Sequence, residues 1–337
     1  MKYKFDIWRY AFYLIFISCN SIAAYKDPID TPSHRTENVK NSLLLDVLSF
    51  DSKLVAVGER GHIVVYENFQ EPTQAKVETS SQLNSVFFTD LSNGWAVGED
   101  QTIVNTIDGG KTWQRQFDGR NALIQGPLLD LYFRNQKEGI AVGVFNLVYK
   151  TNDGGKSWLS VSEQFPNPDE WHLFAIASTE REHIYISSEK GLIFNSINGG
   201  DSFKKIETGH DGSFHNLIVR TGFDGKDEII AFGVGGVIYI SQDSGVSWSK
   251  LETNIQTGLS GGTWLSTGEA ILVGADGVVL KINKLLSSKE AMQLEHGLPL
   301  SNVMQLNSGT IAVVGLGGLA FYKINDLFPK GSAHEMQ

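Results

Sequence analysis

The chain repeats itself at fixed intervals, and that repetition limits what it can fold into more than any other property. The segments TIDGGKTW (106–113), TNDGGKSW (151–158), SINGGDSF (196–203) and SQDSGVSW (241–248) share one pattern, and their Asp or Asn at 108, 153, 198 and 243 recurs every 45 residues. A second signal runs further along the chain. Short apolar stretches end at Gly58, Gly98, Gly143, Ser187, Gly233, Gly274 and Gly315, each followed by a turn and another apolar stretch. A period of roughly 40 to 46 residues marks an array in which each copy is one supersecondary unit that must bury its faces against its neighbours.

Each unit reads as four strands. In the second, Leu83 to Phe88 is strand A, nearest the axis, Gly94 to Val97 is strand B, Thr102 to Asn105 is strand C and Trp113 to Gln116 is strand D. The next copy repeats the plan from Leu128, and further A strands begin near Leu43, His172, Asn216, Gly262 and Asn302. Four-stranded sheets arranged this way close into a ring, so the sequence predicts an all-β, seven-bladed β-propeller of antiparallel blades over residues 42–325. The composition agrees: 35 Gly against 8 Pro, with 11% aromatic residues, suits many short strands joined by tight turns. The last copy runs out without an outer strand, which predicts that residues 25–41 supply it and latch the ring. Residues 326–337 form a C-terminal tail.

The first 24 residues have the layout of a secretory signal peptide: Lys2, Lys4 and Arg9, an apolar run from Tyr10 to Ile17, then Ser21, Ala23 and Ala24. The run is shorter than the roughly 18 residues a spanning helix needs. Cleavage is expected after Ala23 or Ala24, with lipidation at Cys19 as the alternative, and the location is periplasmic or otherwise extracytoplasmic. Cys19 is the only cysteine, so a chain cleaved after it has no disulfide, thiolate metal site or cysteine nucleophile. The net charge of −10 argues against nucleic acid, whose phosphates call for clustered Lys and Arg.

The repeated motif is the Asp box. Its carboxylate accepts backbone N–H groups within the C to D turn, its glycines allow positive φ, and its terminal aromatic packs between blades. Asp108, Trp113, Asp153, Trp158, Asn198, Phe203, Asp243 and Trp248 are therefore structural, with Asn198 and Phe203 as weaker versions. GWAVGEDQTIVNTIDGGKTW and GIAVGVFNLVYKTNDGGKSW resemble the repeats of the photosystem II stability and assembly factor family. That resemblance covers nearly the whole chain past the signal. It implies a seven-bladed propeller that binds newly made membrane proteins during assembly and is not an enzyme, residing in the thylakoid lumen if the host photosynthesises; relatives also occur in bacteria that do not. Arginines that form a patch in photosynthetic members have no identifiable counterparts here.

Sialidases share only the Asp-box turns, and the F-R-I-P motif that accompanies them there is missing from this chain. No nucleophile stands out, and the histidines show no metal-ligand spacing. No catalytic residue, cofactor or metal is expected.

In a propeller the B to C and D to A connections share one face. On that face the sequence offers Arg60, Arg120, Phe145, Phe165 and Trp171 as partner-binding residues, the last two from the long connection SEQFPNPDEW. Trp171 has two readings, a partner anchor or a plug at the top of the central channel. The expected partner is a membrane protein or membrane complex, possible variants including an envelope transporter, and the chain is expected to be a monomer. A glycan-binding or glycan-cleaving propeller is the alternative, and it expects carboxylates, arginines and aromatics converging on the axial channel.

Overall fold

The computed structural model describes residues 26–307 and 309–329; the signal segment and Cys19 lie outside the described residues. Seven sheets ring a central axis, antiparallel except for a short strand, Lys76–Val77, that pairs parallel to the outer edge of the second, with inner strands Leu44–Phe50, Leu83–Phe88, Leu128–Phe133, Leu173–Ser178, Phe214–Thr221, Leu259–Trp264 and Leu300–Asn307. These are the seven expected A strands. From each, the chain steps outward through consecutive neighbours, as in blade three with Leu128–Phe133, Gly139–Gly143, Val148–Thr151 and Leu159–Ser160. Among the described residues no helix is long and apolar enough to cross a membrane.

The core is divided. Each of the seven junctions between blades holds its own apolar wedge, because the second strand of every blade and the third strand of blades one to six are largely buried on both faces and meet the neighbour on either side. Between blades two and three, Trp95 stacks on Phe133 at 3.7 Å and Phe133 meets the Asp-box Trp158 edge-on at 5.8 Å.

The Asp boxes form the turns expected of them. Asp108 accepts from the backbone N–H of Lys111 and Thr112 and from the Thr112 hydroxyl, while the Thr106 hydroxyl takes the Gly110 N–H. Gly109 and Gly110 sit at φ 75° and 92°, where a side chain would be strained. Asn198 builds the same turn with its amide, accepting from Ser202 N–H and donating to the Ser202 hydroxyl. Three of the four boxes also accept a bond from the preceding blade. Lys53 donates to the Gly109 carbonyl, Trp95 to that of Gly154, and Lys150 to that of Gly200.

Two expectations need correcting. In blade four, Leu173 pairs with Ser188 just as Leu128 pairs with Gly143, so Ser188 rather than Ser187 holds the repeat's glycine position, and its hydroxyl donates to the His172 carbonyl. The second concerns closure. Residues 26–41 contain two single 3-10 turns, Pro28–Asp30 and Val39–Asn41, and no strand; blade seven has three strands. Instead of pairing with blade seven, the segment forms a strap across blades one and two. Ser33 N–H donates to the Val77 carbonyl, and the Ser80 N–H donates to that of Pro28. Asp30 receives Arg115 at 3.0 Å and Arg120 at 2.7 Å. Val39 enters the wedge between blades seven and one, and a Cβ on Gly318 of the last strand would meet the Lys40 carbonyl at 2.0 Å. With Pro28 and Pro32 in so short a segment, a ladder of N–H donors is not available.

Candidate functional site at the channel mouth

The faces sort as expected. B to C turns bond to the residues that open the inner strands, as Glu59 N–H does to the Leu43 carbonyl and Val144 N–H to that of Pro127. Asp boxes bond to A to B turns on the opposite face, as Gly109 N–H does to the Ser92 carbonyl.

A bulge recurs in every inner strand at the same step, from Leu44/Asp46 in blade one to Leu300/Asn302 in blade seven. The bulge turns the strand so that successive side chains face the axis. The result is an axial cavity of about 320 Å³ with a polar ring near the mouth of the B to C face. Asp46 accepts from the N–H groups of Val47 and Val86, and Asp130 from those of Leu131 and Ile176, so each carboxylate ties its own blade to the next. Asn216 donates to the Ser260 carbonyl, and Asn302 to Asp46. The Ser85 hydroxyl lies 3.0 Å from Asp46 and 2.6 Å from Asp130. One hydroxyl carries one proton, so it donates to only one of them. Burial, reinforced by Asp46, pushes the Asp130 carboxyl up to about 7.

The described residues lining this cavity include no arginine, lysine, tyrosine or glutamate. A carboxylate clamp and a Tyr–Glu nucleophile pair, the equipment of a sialidase, are not on these walls. No group of three or more His, Cys, Asp or Glu side chains is placed to hold a metal among the described residues. One Ser, His and Asp set does converge, at the opposite face. Asp227, fully buried, accepts from His183 at 2.7 Å, Tyr185 at 2.8 Å and Arg181 at 2.5 Å. Ser244 there accepts from the Asp227 N–H, which makes it a partner of the backbone and fits a rivet between blades four and five. The three donors, His183 first, outweigh burial and hold the Asp227 carboxyl below its ordinary range.

The five proposed partner-binding residues separate. Arg60 is exposed at φ 54° on the turn of blade one. Arg120 is committed to Asp118 and Asp30, which hold its guanidinium firmly charged. Phe165 is 7% exposed and packs on Phe194 and Phe203 at 4.9 and 5.1 Å, so it belongs to the wedge between blades three and four and is withdrawn as a contact residue. Trp171 is half-buried against the same wedge and does not line the channel, so it is not the plug. Its backbone is pinned by Asn167, a buried side chain that also bonds Asn146. Of the three aromatics only Phe145 stands out, 48% exposed beside the mouth.

Phe145 has companions the sequence did not single out. Its ring lies 4.8 Å from His172, His172 is 6.1 Å from Phe174, and Phe174 is 5.2 Å from His215. His172 directly precedes an inner strand, and Phe174 and His215 occupy the bulge position of blades four and five. Together they make an aromatic arc over three blades at the rim. Burial lowers the His215 pKa, so its imidazole is neutral at pH 7.

Residues 65–124 and 117–257 match the family model for the photosynthesis system II assembly factor YCF48. The chain belongs to that family. Its fold superposes on YCF48 bound to D1 peptide with a TM-score of 0.67 and 16% identity, over 89% of this chain and 98% of that one. YCF48 from Cyanidioschyzon merolae gives 0.66 and 13%, over 83% and 95%. The WD40 β-propeller domain of Doa1 gives 0.64 and 15%, over 87% and 95%, so at this level the likeness establishes the propeller and the family model establishes the kinship. A comparison with curated protein sequences finds no match.

Proposed function

We propose that this YCF48-family propeller is a non-catalytic holding module that engages a membrane protein or membrane complex during its assembly, through the face where the B to C turns meet the channel mouth. The family match carries the reading. A propeller of the same fold, YCF48, has been solved bound to D1 peptide. The arc at the rim is the surface here with the features of a contact site: exposed aromatic area, convergent polar groups and a rigid scaffold beneath. The reading includes action outside the cytoplasm, as a monomer; the basic and apolar start of the sequence supports the first and a ring that closes within one chain supports the second.

The test is capture. The full chain, tagged and expressed in its own host, is crosslinked in intact cells and its partners are identified by mass spectrometry. One dominant membrane protein or complex, lost on Phe145→Ala, is the expected result; recovery of no specific membrane protein overturns the reading.

A further inference from the structure

Phe145 occupies a position that neither its backbone nor its solvation favours. It stands at the tip of the B to C turn of blade three with φ 52°, and the matching residues Arg60, Asp100, Gly235 and Asp276 also have positive φ, at 54°, 57°, 68° and 57°. The turn demands the left-handed region, which glycine and aspartate enter at low cost and a bulky aromatic does not. An aromatic ring placed there and half exposed breaks a local rule without repaying it in packing, as happens where a side chain serves a site.

The surroundings indicate what the ring meets. Glu189 accepts from the His172 N–H and lies 3.3 Å from its Nδ1, placing a carboxylate against the middle of the arc. Neighbouring turns on the same face carry Glu59, Glu99, Asp100, Asp276 and Glu295. Burial, with Asp100 next to it, pushes the Glu99 carboxyl up. Two of the cations on this face are already engaged, Arg120 by Asp30 and Asp118 and Lys190 by Asp211.

We infer that the arc of Phe145, His172, Phe174 and His215, with Glu189, receives a lysine- or arginine-rich segment of the protein partner. The inference rests on the holding role proposed above and specifies the chemistry of its client. Aromatic faces attract a cation through the ring quadrupole. The surrounding carboxylates steer such a segment toward the mouth and repel an acidic one.

The probe is a fluorescein-labelled peptide of lysine and arginine alternating with glycine, titrated against the full chain by anisotropy beside an acidic peptide of equal length. Saturable binding of the basic peptide is expected, weakened about tenfold by Phe145→Ala and by Glu189→Gln and further by added salt. Phe223→Ala, fully exposed on the opposite face, should leave it unchanged. Equal or stronger binding of the acidic peptide, or an affinity untouched by both arc variants, overturns the inference. The cellular crosslinks separate the two claims: a captured membrane protein whose crosslinked segment has no lysine or arginine leaves the holding role standing and removes this one.

Discussion

Asn302, in the last inner strand, donates its side-chain N–H to the Asp46 carboxylate of the first at 2.6 Å, across 256 residues of chain. Blade seven is thereby joined to blade one by the same kind of contact that Asp46 makes onward to the Val86 N–H of blade two. The junction is completed by the wedge that contains Val39, Val47, Ala312 and Val314, and by Tyr66 edge-on to Phe321 at 5.7 Å.

Removing Asp46 strands three donors, the N–H groups of Val47 and Val86 and the amide of Asn302. At about 1–3 kcal/mol for an unsatisfied buried group, eased here by channel water, Asp46→Ala should destabilise the ring by about 3 kcal/mol. Equilibrium urea unfolding monitored by tryptophan fluorescence checks it; an unchanged midpoint means the ring does not depend on this contact.

Asp130 gives a pH dependence with a definite sign. Its folded pKa of about 7 lies above the roughly 3.9 of an unfolded aspartate, so between those values the native chain binds more protons. Its contribution to stability is complete below about pH 4 and is lost as pH rises toward 7. Asp130→Asn should flatten that part of the stability profile relative to the parent chain. Thermal melts at half-unit pH intervals give the difference curve, and parallel profiles would contradict the raised Asp130 carboxyl.

The strap should matter through its apolar anchors more than through its charges. Ile29 and Val39 are buried at 3% and 5% exposure, whereas Asp30 is half exposed. Residues 42–337, expressed without the strap, should melt several degrees below residues 26–337, and Asp30→Ala should have a smaller effect that fades in high salt. Calorimetry on the three proteins tests the order.

Phe145 and Phe165 should respond in opposite ways. Phe165→Ala empties a packed wedge and should destabilise the fold by about 3–4 kcal/mol. Phe145→Gly relieves a left-handed aromatic and should hold or raise the melting temperature while abolishing capture of the partner. A fall in melting temperature with Phe145→Gly would show that the ring has a packing role.

An Asp box is worth a local staple. Asp243 accepts from Ser241, from the Ser247 N–H and from the Ser247 hydroxyl, so Asp243→Ala should lower stability by about 1–2 kcal/mol. Asn198→Asp, which replaces the amide donor with a second acceptor for Ser202, should be neutral or slightly stabilising. Chemical denaturation of both variants decides this.

The ring itself was legible because its turns are chemically demanding: a carboxylate, two glycines and an aromatic at fixed spacing leave one geometry. What escaped had no such signature. The strap is held by isolated anchors, Ile29 and Val39, with no periodicity to read. The polar ring uses Asp in blades one and three, Ser in blade two and Asn in blades five and seven, so no one residue recurs at the blade period, and the bulge before it breaks the alternation by which channel-facing positions would be recognised. Phe165 looked exposed because it sits in an irregular, proline-rich connection, but Asn167 pins that connection and turns the ring inward. The arc was missed because His172, Phe174 and His215 are far apart in sequence and meet only once the strands converge at the axis.

Many rings of this kind are fastened by weaving both chain ends into one sheet. Here the two ends abut: blade one is built wholly from the beginning of the described chain and blade seven wholly from its end. A seam of that kind can be widened by a duplicated repeat at either end without unpicking any existing sheet, so the number of blades is open to evolutionary change by simple tandem copying, with the strap free to re-lay itself over the new joint.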